Sequence, residues 1–180
     1  MRPRHALLLV AAVSVLAACA STSSSRSERP LALAPKVDIP RFMGDWYVIA
    51  AIPTRFERGA HDSRESYALR PDGRIDTTFS FSADGFDGPR KTFRSTASVL
   101  DAAGAVWGQQ YIWPIKADYR VAYLSDDYQH VVIGREKRDF VWIMSRTPTM
   151  PDAELDRLIA FVGTQGYDAA KVQRMPQRGR

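Results

Sequence analysis

The sequence predicts an all-β protein: an eight-stranded antiparallel up-and-down barrel with one C-terminal α-helix packed outside. Three observations support this prediction. Eight β-rich segments, most of them alternating between apolar and polar residues, follow one another at regular spacing over residues 44–146. Short connections rich in Gly, Pro, Asp and Ser, which favour turns, join these segments. One segment of helical periodicity then follows. A sandwich of two sheets remains the alternative layout.

The predicted strands are short segments with strong β propensity. They are Gly44 to Ile52, Glu65 to Arg70, Arg74 to Ser82, Lys91 to Leu100, Val106 to Trp113, Tyr119 to Leu124, Tyr128 to Arg135 and Phe140 to Arg146. Pro71-Asp72-Gly73 is a strong turn signal, so the second and third segments are predicted to form a hairpin. Several large aromatic residues recur along these segments. If several of them face inward, the barrel encloses an apolar cavity suited to a lipid tail.

The period changes after the last predicted strand. Leu155, Leu158, Ile159 and Val162 recur at the spacing of one helix face, which predicts a helix over Pro151 to Gln165. A single amphipathic helix cannot form its own core, so we expect it to pack on the outside of the sheet. The extended tail from Ala170 to Met175 is a candidate ninth strand.

The N-terminus has the features of a secretory signal. Arg2 and Arg4 precede an uncharged run of eleven residues from Ala6 to Leu16, followed by small residues. As a helix this run rises roughly 16 Å, about half the thickness of a bilayer's hydrocarbon core, so it is too short to span. We therefore predict a signal peptide over residues 1–18, a modified Cys19 with a Ser-rich flexible tether over residues 19–36, and a folded domain over residues 37–180.

The boundary Leu16-Ala17-Ala18-Cys19 resembles the lipobox of bacterial lipoproteins. That resemblance implies cleavage before Cys19, a diacylglyceryl thioether on its sulfur and a fatty acyl group, such as palmitate, on its new amine. Two or more acyl chains hold a protein stably on a membrane. Because Ala20 and not Asp follows the cysteine, the resemblance implies anchoring in the outer membrane, facing the periplasm. An ordinary signal peptide with an incidental cysteine is the alternative.

Composition excludes several other classes of protein. The single Cys rules out an intrachain disulfide and any zinc site built on two cysteines. The net charge of +5 falls to +3 once Arg2 and Arg4 leave with the signal, too little for a nucleic-acid footprint. The three His residues show no metal-ligand spacing, and neither a Gly-x-Ser-x-Gly motif nor a phosphate-binding glycine loop occurs. We therefore predict no cofactor, no metal and no nucleic-acid partner.

Three ordered motifs carry a resemblance to the lipocalin family over about residues 38–175. Arg41 to Ala50 contains Gly44 and Trp46 in the Gly-x-Trp pattern that opens the first strand of lipocalins. Phe56-Glu57-Arg58-Gly59 and Trp142 to Pro148 are similar to the bacterial outer-membrane lipocalins and the apolipoprotein D-like group. The middle lipocalin motif is only loosely present, at Ser125 to Tyr128.

The resemblance assigns roles to particular residues. It implies that Trp46 plugs the closed end of the barrel and that Arg146 lies across it as a structural cation–π pair. Strand alternation then predicts that Val48 and Ala50 face inward. It also implies that ligand-binding side chains line the lumen or its mouth; these are Phe140, Trp142, Met144, Tyr111, Trp113 and Tyr119. For the aromatics of residues 111–119, plain packing is an equal alternative.

The functional hypothesis follows from the anchor, the barrel and the motifs together. We expect a membrane-anchored lipid-binding protein, not an enzyme, that stores or transports fatty acids or lysophospholipids for envelope maintenance under stress. Arg55 and Arg58 would meet a lipid phosphate or carboxylate, or belong to a solvated loop. The alternatives are a lipid-directed esterase or isomerase on the same barrel, and an interaction protein with a filled barrel. The resemblance leaves a homodimer open as a partner.

Overall fold

The structure is a computed structural model that describes residues 29–112 and 114–178. Eight strands form the barrel and a ninth adds to it; they are Gly44–Ile52 (β1), Ala60–Leu69 (β2), Ile75–Ala83 (β3), Arg90–Val99 (β4), Val106–Ile112 (β5), Ile115–Leu124 (β6), His130–Gly134 (β7), Val141–Ser145 (β8) and Gln173–Arg174 (β9). The helices are Ile39–Phe42 (α1), Asp152–Thr164 (α2) and a 3-10 turn at Ala169–Lys171. The proposed signal peptide, Cys19 and Trp113 lie outside the described residues.

Each strand of the barrel pairs antiparallel with the next one along the chain. β1 pairs with both β8 and β2, which closes the ring. The predicted up-and-down barrel is confirmed, and a sandwich of two separate sheets is not what forms. β2 begins five residues earlier than predicted, because its first half (His61-Asp62-Ser63-Arg64) is polar and interrupted by a bulge, so it shows no apolar alternation.

The closure between β1 and β2 is incomplete, and the C-terminal tail fills it. The two strands pair only over Gly44 to Tyr47. Further along, β9 pairs with Ala50 and Ala51. The Gln177 side-chain amide donates to the carbonyl oxygens of Val48 (2.8 Å) and Ser63 (2.9 Å). The tail therefore satisfies backbone groups that the separating strands leave unpaired.

Apolar residues form two cores, one on each face of the sheet. The outer core packs Leu155, Leu158 and Val162 of α2 against the sheet, so the predicted position of the helix is confirmed. The inner core fills the lower part of the barrel. Among the residues that the structure describes, all members of both cores lie between Leu31 and Met175, so residues 29–178 contain both cores and are expected to fold without the leader.

The prediction that Ala50 faces the lumen is wrong. β1 carries a bulge between Val48 and Ala50 relative to β8. One extra residue reverses the alternation, so Ala51 joins the inner core beside Trp46 and Val48 while Ala50 packs in the outer core under α2.

The segment before residue 37, expected to be part of the tether, packs on the barrel. Leu31 and Ala34 are each only 3% exposed. The segment starts near the β7–β8 loop, where Arg138 donates to the Arg29 carbonyl oxygen (2.7 Å). It ends at the opposite end of the barrel, where Val37 N–H donates to Ala103 O (2.8 Å). Its two buried apolar residues explain why this part of a Ser-rich leader is ordered.

The lower end of the barrel is sealed by aromatic side chains. Phe42 of α1 contacts the rings of Trp46, Tyr67 and Trp107 at centroid distances of 5.0, 5.4 and 5.3 Å. The Trp46 indole N–H donates to the Phe42 carbonyl oxygen (2.9 Å). We call this cluster, Phe42, Trp46, Tyr67 and Trp107, the floor.

Arg146 lies beneath the floor and joins the lipocalin-like motifs. Its guanidinium stacks on the Trp46 ring at 3.9 Å. It also donates to the carbonyl oxygens of Asp45 (2.9 Å), Arg41 (3.0 Å) and Phe42 (3.0 Å). This is the contact that the resemblance implies for the pair.

Within residues 29–112 and 114–178, no helix combines the length and the apolar character needed to cross a membrane.

Candidate ligand cavity

Above the floor the barrel encloses a cavity of about 670 Å³ that opens at the other end. Its wall along β8 and the residue before it runs from Met144 to Phe140, four residue steps or roughly 13 Å of extended chain. The mouth is formed by the β1–β2 loop, the β7–β8 loop, Tyr111 near the end of β5 and Ala117 near the start of β6. The volume falls within the usual range for small-molecule sites. A barrel packed solid from end to end, one of the alternatives above, is therefore not what forms.

Five of the six predicted ligand-binding residues line this cavity: Phe140, Trp142, Met144, Tyr111 and Tyr119. Trp142 lies centrally, with its ring 6.4 Å from Phe140 and stacked 6.5 Å from Tyr119. Tyr111 is half-exposed at the mouth. Trp113 lies outside the described residues. Ligand contact by these side chains stays a prediction.

The sequence left open whether Phe79 and Phe93, two of its recurring aromatics, face inward, and it gave Phe56 no role. Phe56 is 60% exposed, and its ring lies 6.5 Å from that of Phe93. Phe79 continues the wall inward. A strand alternation could have suggested Phe79 and Phe93, but Phe56 belongs to a loop, where no periodicity indicates direction.

Three arginines border the cavity. Arg55 and Arg58, the head-group candidates from the sequence, are exposed in the β1–β2 loop. Arg135, which the sequence did not single out, lies on the β7–β8 side and pairs with Asp139 (Nη1 to Oδ2, 3.1 Å). Its Nε is buried and has no hydrogen-bond partner among the described residues. The mouth thus presents positive charge to whatever enters.

Glu57 fixes the orientation of Trp142. The indole N–H of Trp142 donates to Glu57 Oε1 (3.0 Å), and the Thr54 backbone N–H donates to Glu57 Oε2 (2.6 Å). The Glu57 side chain is 7% exposed, so both carboxylate oxygens use their partners inside the protein. From the sequence, Glu57 was identified only as part of the motif Phe56 to Gly59, and no role was predicted for it.

A second carboxyl group, that of Glu65, lies deep in the cavity. Glu65 is 9% exposed and sits opposite Trp46 in the β1–β2 register, directly above the floor. Burial, reinforced by the negative charge of Glu57, raises the pKa of Glu65 to about 8, against the opposing hydrogen bond from Gln109. At neutral pH this carboxyl group is therefore mostly protonated. The sequence gave no sign of it, since a strand glutamate usually faces water.

Polar side chains surround Glu65. The hydroxyl groups of Tyr67 and Tyr119 hydrogen-bond to each other, and burial raises the pKa of both phenols. The Gln109 amide donates to Ser95 Oγ (3.0 Å). The deep end of an otherwise apolar cavity is thus polar.

The two histidines of the described residues, His61 and His130, lie away from the cavity. His130 pairs with Glu154 of α2 on the outside (3.2 Å), and His61 packs its ring against Phe86. Among the residues that the structure describes, no cluster of three or more His, Cys, Asp or Glu side chains could hold a metal ion.

An up-and-down barrel sealed at one end, with one open cavity and a helix on its outer face, defines the class of cup-shaped ligand-binding β-barrels. The family model described as a lipocalin-like domain matches residues 37–177. The chain belongs to this family, and the resemblance stated from its motifs is confirmed.

Relatives in bacteria and plants support the assignment. The chain is 29% identical over 177 residues to the outer membrane lipoprotein Blc of Escherichia coli K12, covering 96% of this chain and 98% of Blc. It is 34% identical over 148 residues to temperature-induced lipocalin-1 of Arabidopsis thaliana, covering 78% and 80% of the two chains. Lobster apocrustacyanin A1 shares the fold, with a TM-score of 0.62 at 14% identity, covering 79% of this chain and 81% of that one.

Proposed function

We propose that this protein is a membrane-anchored lipid carrier that stores or transports fatty acids or lysophospholipids for maintenance of the cell envelope under stress. The observation that carries the proposal is the 670 Å³ cavity, open at one end and walled mainly by aromatic and aliphatic side chains. Family membership supports binding of a small hydrophobic ligand. The role in stress rests on resemblance alone.

Burial of an acyl chain supplies enough free energy for useful affinity. A micromolar dissociation constant corresponds to about 8.2 kcal/mol. At about 25 cal/mol per Å² of apolar surface, net removal of roughly 330 Å² from water provides that amount. The wall formed by Phe79, Phe140, Trp142 and Met144 offers such a surface without any covalent chemistry.

The mouth suits an anionic head group. Arg55 and Arg58 on one side and Arg135 on the other are long enough to meet a carboxylate or phosphate at the rim. The acyl chain would then extend from the rim toward the floor.

The course of the described N-terminal segment supports an anchored carrier whose mouth faces the bilayer. Arg29 lies beside the β7–β8 loop at the open end. Ten residues separate it from Cys19, a reach of at most about 35 Å when fully extended. A lipidated Cys19 would therefore keep the mouth near the membrane from which lipid is taken. The relative Blc is by its name an outer membrane lipoprotein, which supports the same location for this chain.

Displacement of a fluorescent fatty acid tests the proposal, using residues 29–180 at neutral pH. We expect stoichiometric, saturable binding that weakens at least tenfold in Trp142→Ala, since the central cavity wall is lost. Trp142→Phe should retain most of the affinity. Leu100→Ala, a 57%-exposed leucine at the closed end, is the matched control and should bind like the wild type. Absence of binding, or equal affinity in Trp142→Ala, would contradict the proposal.

A second experiment with the same purified protein tests whether it only binds lipid or also converts it chemically. Incubation with a lysophospholipid, followed by mass spectrometry of the lipid, should return it unchanged in a stoichiometric complex. Catalytic turnover into a new product would favour the esterase or isomerase alternative.

A further inference from the structure

The deep end of the cavity has a chemistry that a plain hydrocarbon tail does not match. Glu65, Gln109 and Tyr119 line it, and each is less than a tenth exposed. Glu65 lies level with Trp46 of the floor and beside Phe79 on β3. The cavity lining level with the floor therefore includes a carboxyl group capable of hydrogen bonding.

Most polar groups near Glu65 already use their hydrogen-bonding capacity within the protein. The Tyr67 and Tyr119 hydroxyls bond to each other, and the Gln109 amide nitrogen donates to Ser95. Gln109 is the hydrogen-bonding neighbour of the Glu65 carboxyl, which has room for further partners on its cavity side. A methyl group against that side would leave a buried polar group unsatisfied, which is costly.

The charge state of the site favours a neutral oxygen over a cation. Burial and the nearby Glu57 charge keep Glu65 protonated at neutral pH, so its carboxyl carries an O–H donor as well as a carbonyl acceptor. Both oxygens of Glu57 are engaged by Trp142 and Thr54, so Glu57 does not offer a free carboxylate to an amine. A hydroxyl or keto oxygen is the complementary partner.

We propose that Glu65 forms, with Gln109, a deep subsite for a hydroxyl or carbonyl oxygen at the buried end of the lipid. The preferred ligand class is then an amphiphile with an anionic head for the arginines of the mouth and an oxygenated far end, such as an ω-hydroxy fatty acid. This inference rests on the proposed function, because both concern the same cavity.

A matched pair of ligands tests the subsite. Palmitate and 16-hydroxypalmitate share the head group and chain and differ by one terminal hydroxyl. In competition binding to residues 29–180 at pH 7, we expect 16-hydroxypalmitate to bind about three- to tenfold tighter, the worth of one net hydrogen bond. Glu65→Gln keeps a donor and an acceptor and should keep the preference. In Glu65→Leu, we expect the preference for 16-hydroxypalmitate over palmitate to disappear or to reverse.

The outcomes separate the two proposals. Equal affinity of both ligands for the wild type, or an unchanged preference in Glu65→Leu, overturns the deep subsite and leaves the lipid carrier intact. If neither ligand binds, the lipid carrier itself is refuted and the subsite falls with it. If Glu65→Leu does not fold, as judged by circular dichroism, the wild-type and Glu65→Gln affinities still decide.

Discussion

Replacement of Arg146 by Ala tests whether the Trp46–Arg146 pair stabilises the barrel or takes part in binding. The guanidinium lies 3.9 Å from the Trp46 ring centroid, on the side of the floor away from the cavity. It ties together the start of β1, α1 and the end of β8 through its bonds to Asp45, Arg41 and Phe42. We therefore expect Arg146→Ala to lower stability without changing ligand affinity.

The decrease in the free energy of unfolding in Arg146→Ala can be calculated from these contacts. The cation–π contact of this half-buried pair contributes about 1 kcal/mol. Three hydrogen bonds at about 0.5–1.5 kcal/mol each add to it, but water can reach the carbonyls of the exposed residues Arg41 and Asp45 and replace part of the loss. The expected decrease in the free energy of unfolding is about 2–4 kcal/mol. Arg146→Lys keeps the positive charge, but an ammonium group cannot both stack on the indole ring and donate to several carbonyls as a guanidinium does. We therefore expect Arg146→Lys to retain less than half of the unfolding free energy that Arg146→Ala loses.

Urea denaturation of residues 29–180, followed by tryptophan fluorescence, measures the three free energies of unfolding. Fatty-acid affinity, measured where each variant is folded, should stay within twofold of the wild type. A decrease below about 1 kcal/mol in Arg146→Ala would refute the structural role. Loss of affinity in a folded Arg146→Ala would show that the pair belongs to the ligand site.

Two further predictions concern pH and the membrane anchor. Because the pKa of Glu65 rises from 4.5 to about 8 on folding, the folded state holds a proton that the unfolded state releases, so the contribution of Glu65 to stability is fully present below pH 4.5 and is lost as pH rises from there through about 8. Glu65→Gln should flatten that fall, measured by urea denaturation at pH 5.5 and 8.5; Glu57 is the charged neighbour, and the phenols of Tyr67 and Tyr119 stay neutral throughout. An equal decrease in the free energy of unfolding between pH 5.5 and 8.5 in the wild type and in Glu65→Gln would contradict the assignment of this pH dependence to Glu65. Cys19→Ala in the full chain should move the protein from the outer-membrane fraction to the soluble fraction; if it stays with the membrane, lipidation is not the anchor.

The elements of the fold follow closely from the sequence. β1 and β3 form where β-branched and aromatic residues alternate, and α2 forms where apolar residues recur with helical spacing. The hairpin at Pro71-Asp72-Gly73 follows from turn chemistry. These features depend on a few neighbouring residues, so local sequence is enough to predict them.

The facing of the candidate site residues could be predicted only where a regular alternation includes them; Tyr111 and Tyr119 line the cavity too, but the sequence left their facing open. Phe140, Trp142 and Met144 alternate on one strand without interruption, so their common face could be inferred and all three line the cavity. Ala50 was misassigned because a bulge, invisible in the composition of β1, reverses the face of every residue after it. Phe56 was missed because a loop residue has no periodicity to indicate where it points.

The sequence by itself determined the order of the strands and the outer helix, because backbone preferences and apolar periodicity are local properties. The pair that closes the barrel, Trp46 and Arg146, followed only from the resemblance of its motifs to the lipocalins. The tertiary structure alone decided that Glu65 lines the cavity inside the barrel. Its raised pKa comes from burial in the closed barrel, where it lies opposite Trp46, and from the negative charge of Glu57, while Gln109 opposes the shift; these three residues lie on other segments of the chain. Electrostatic and solvation energies depend on such distances, and a linear sequence does not contain them.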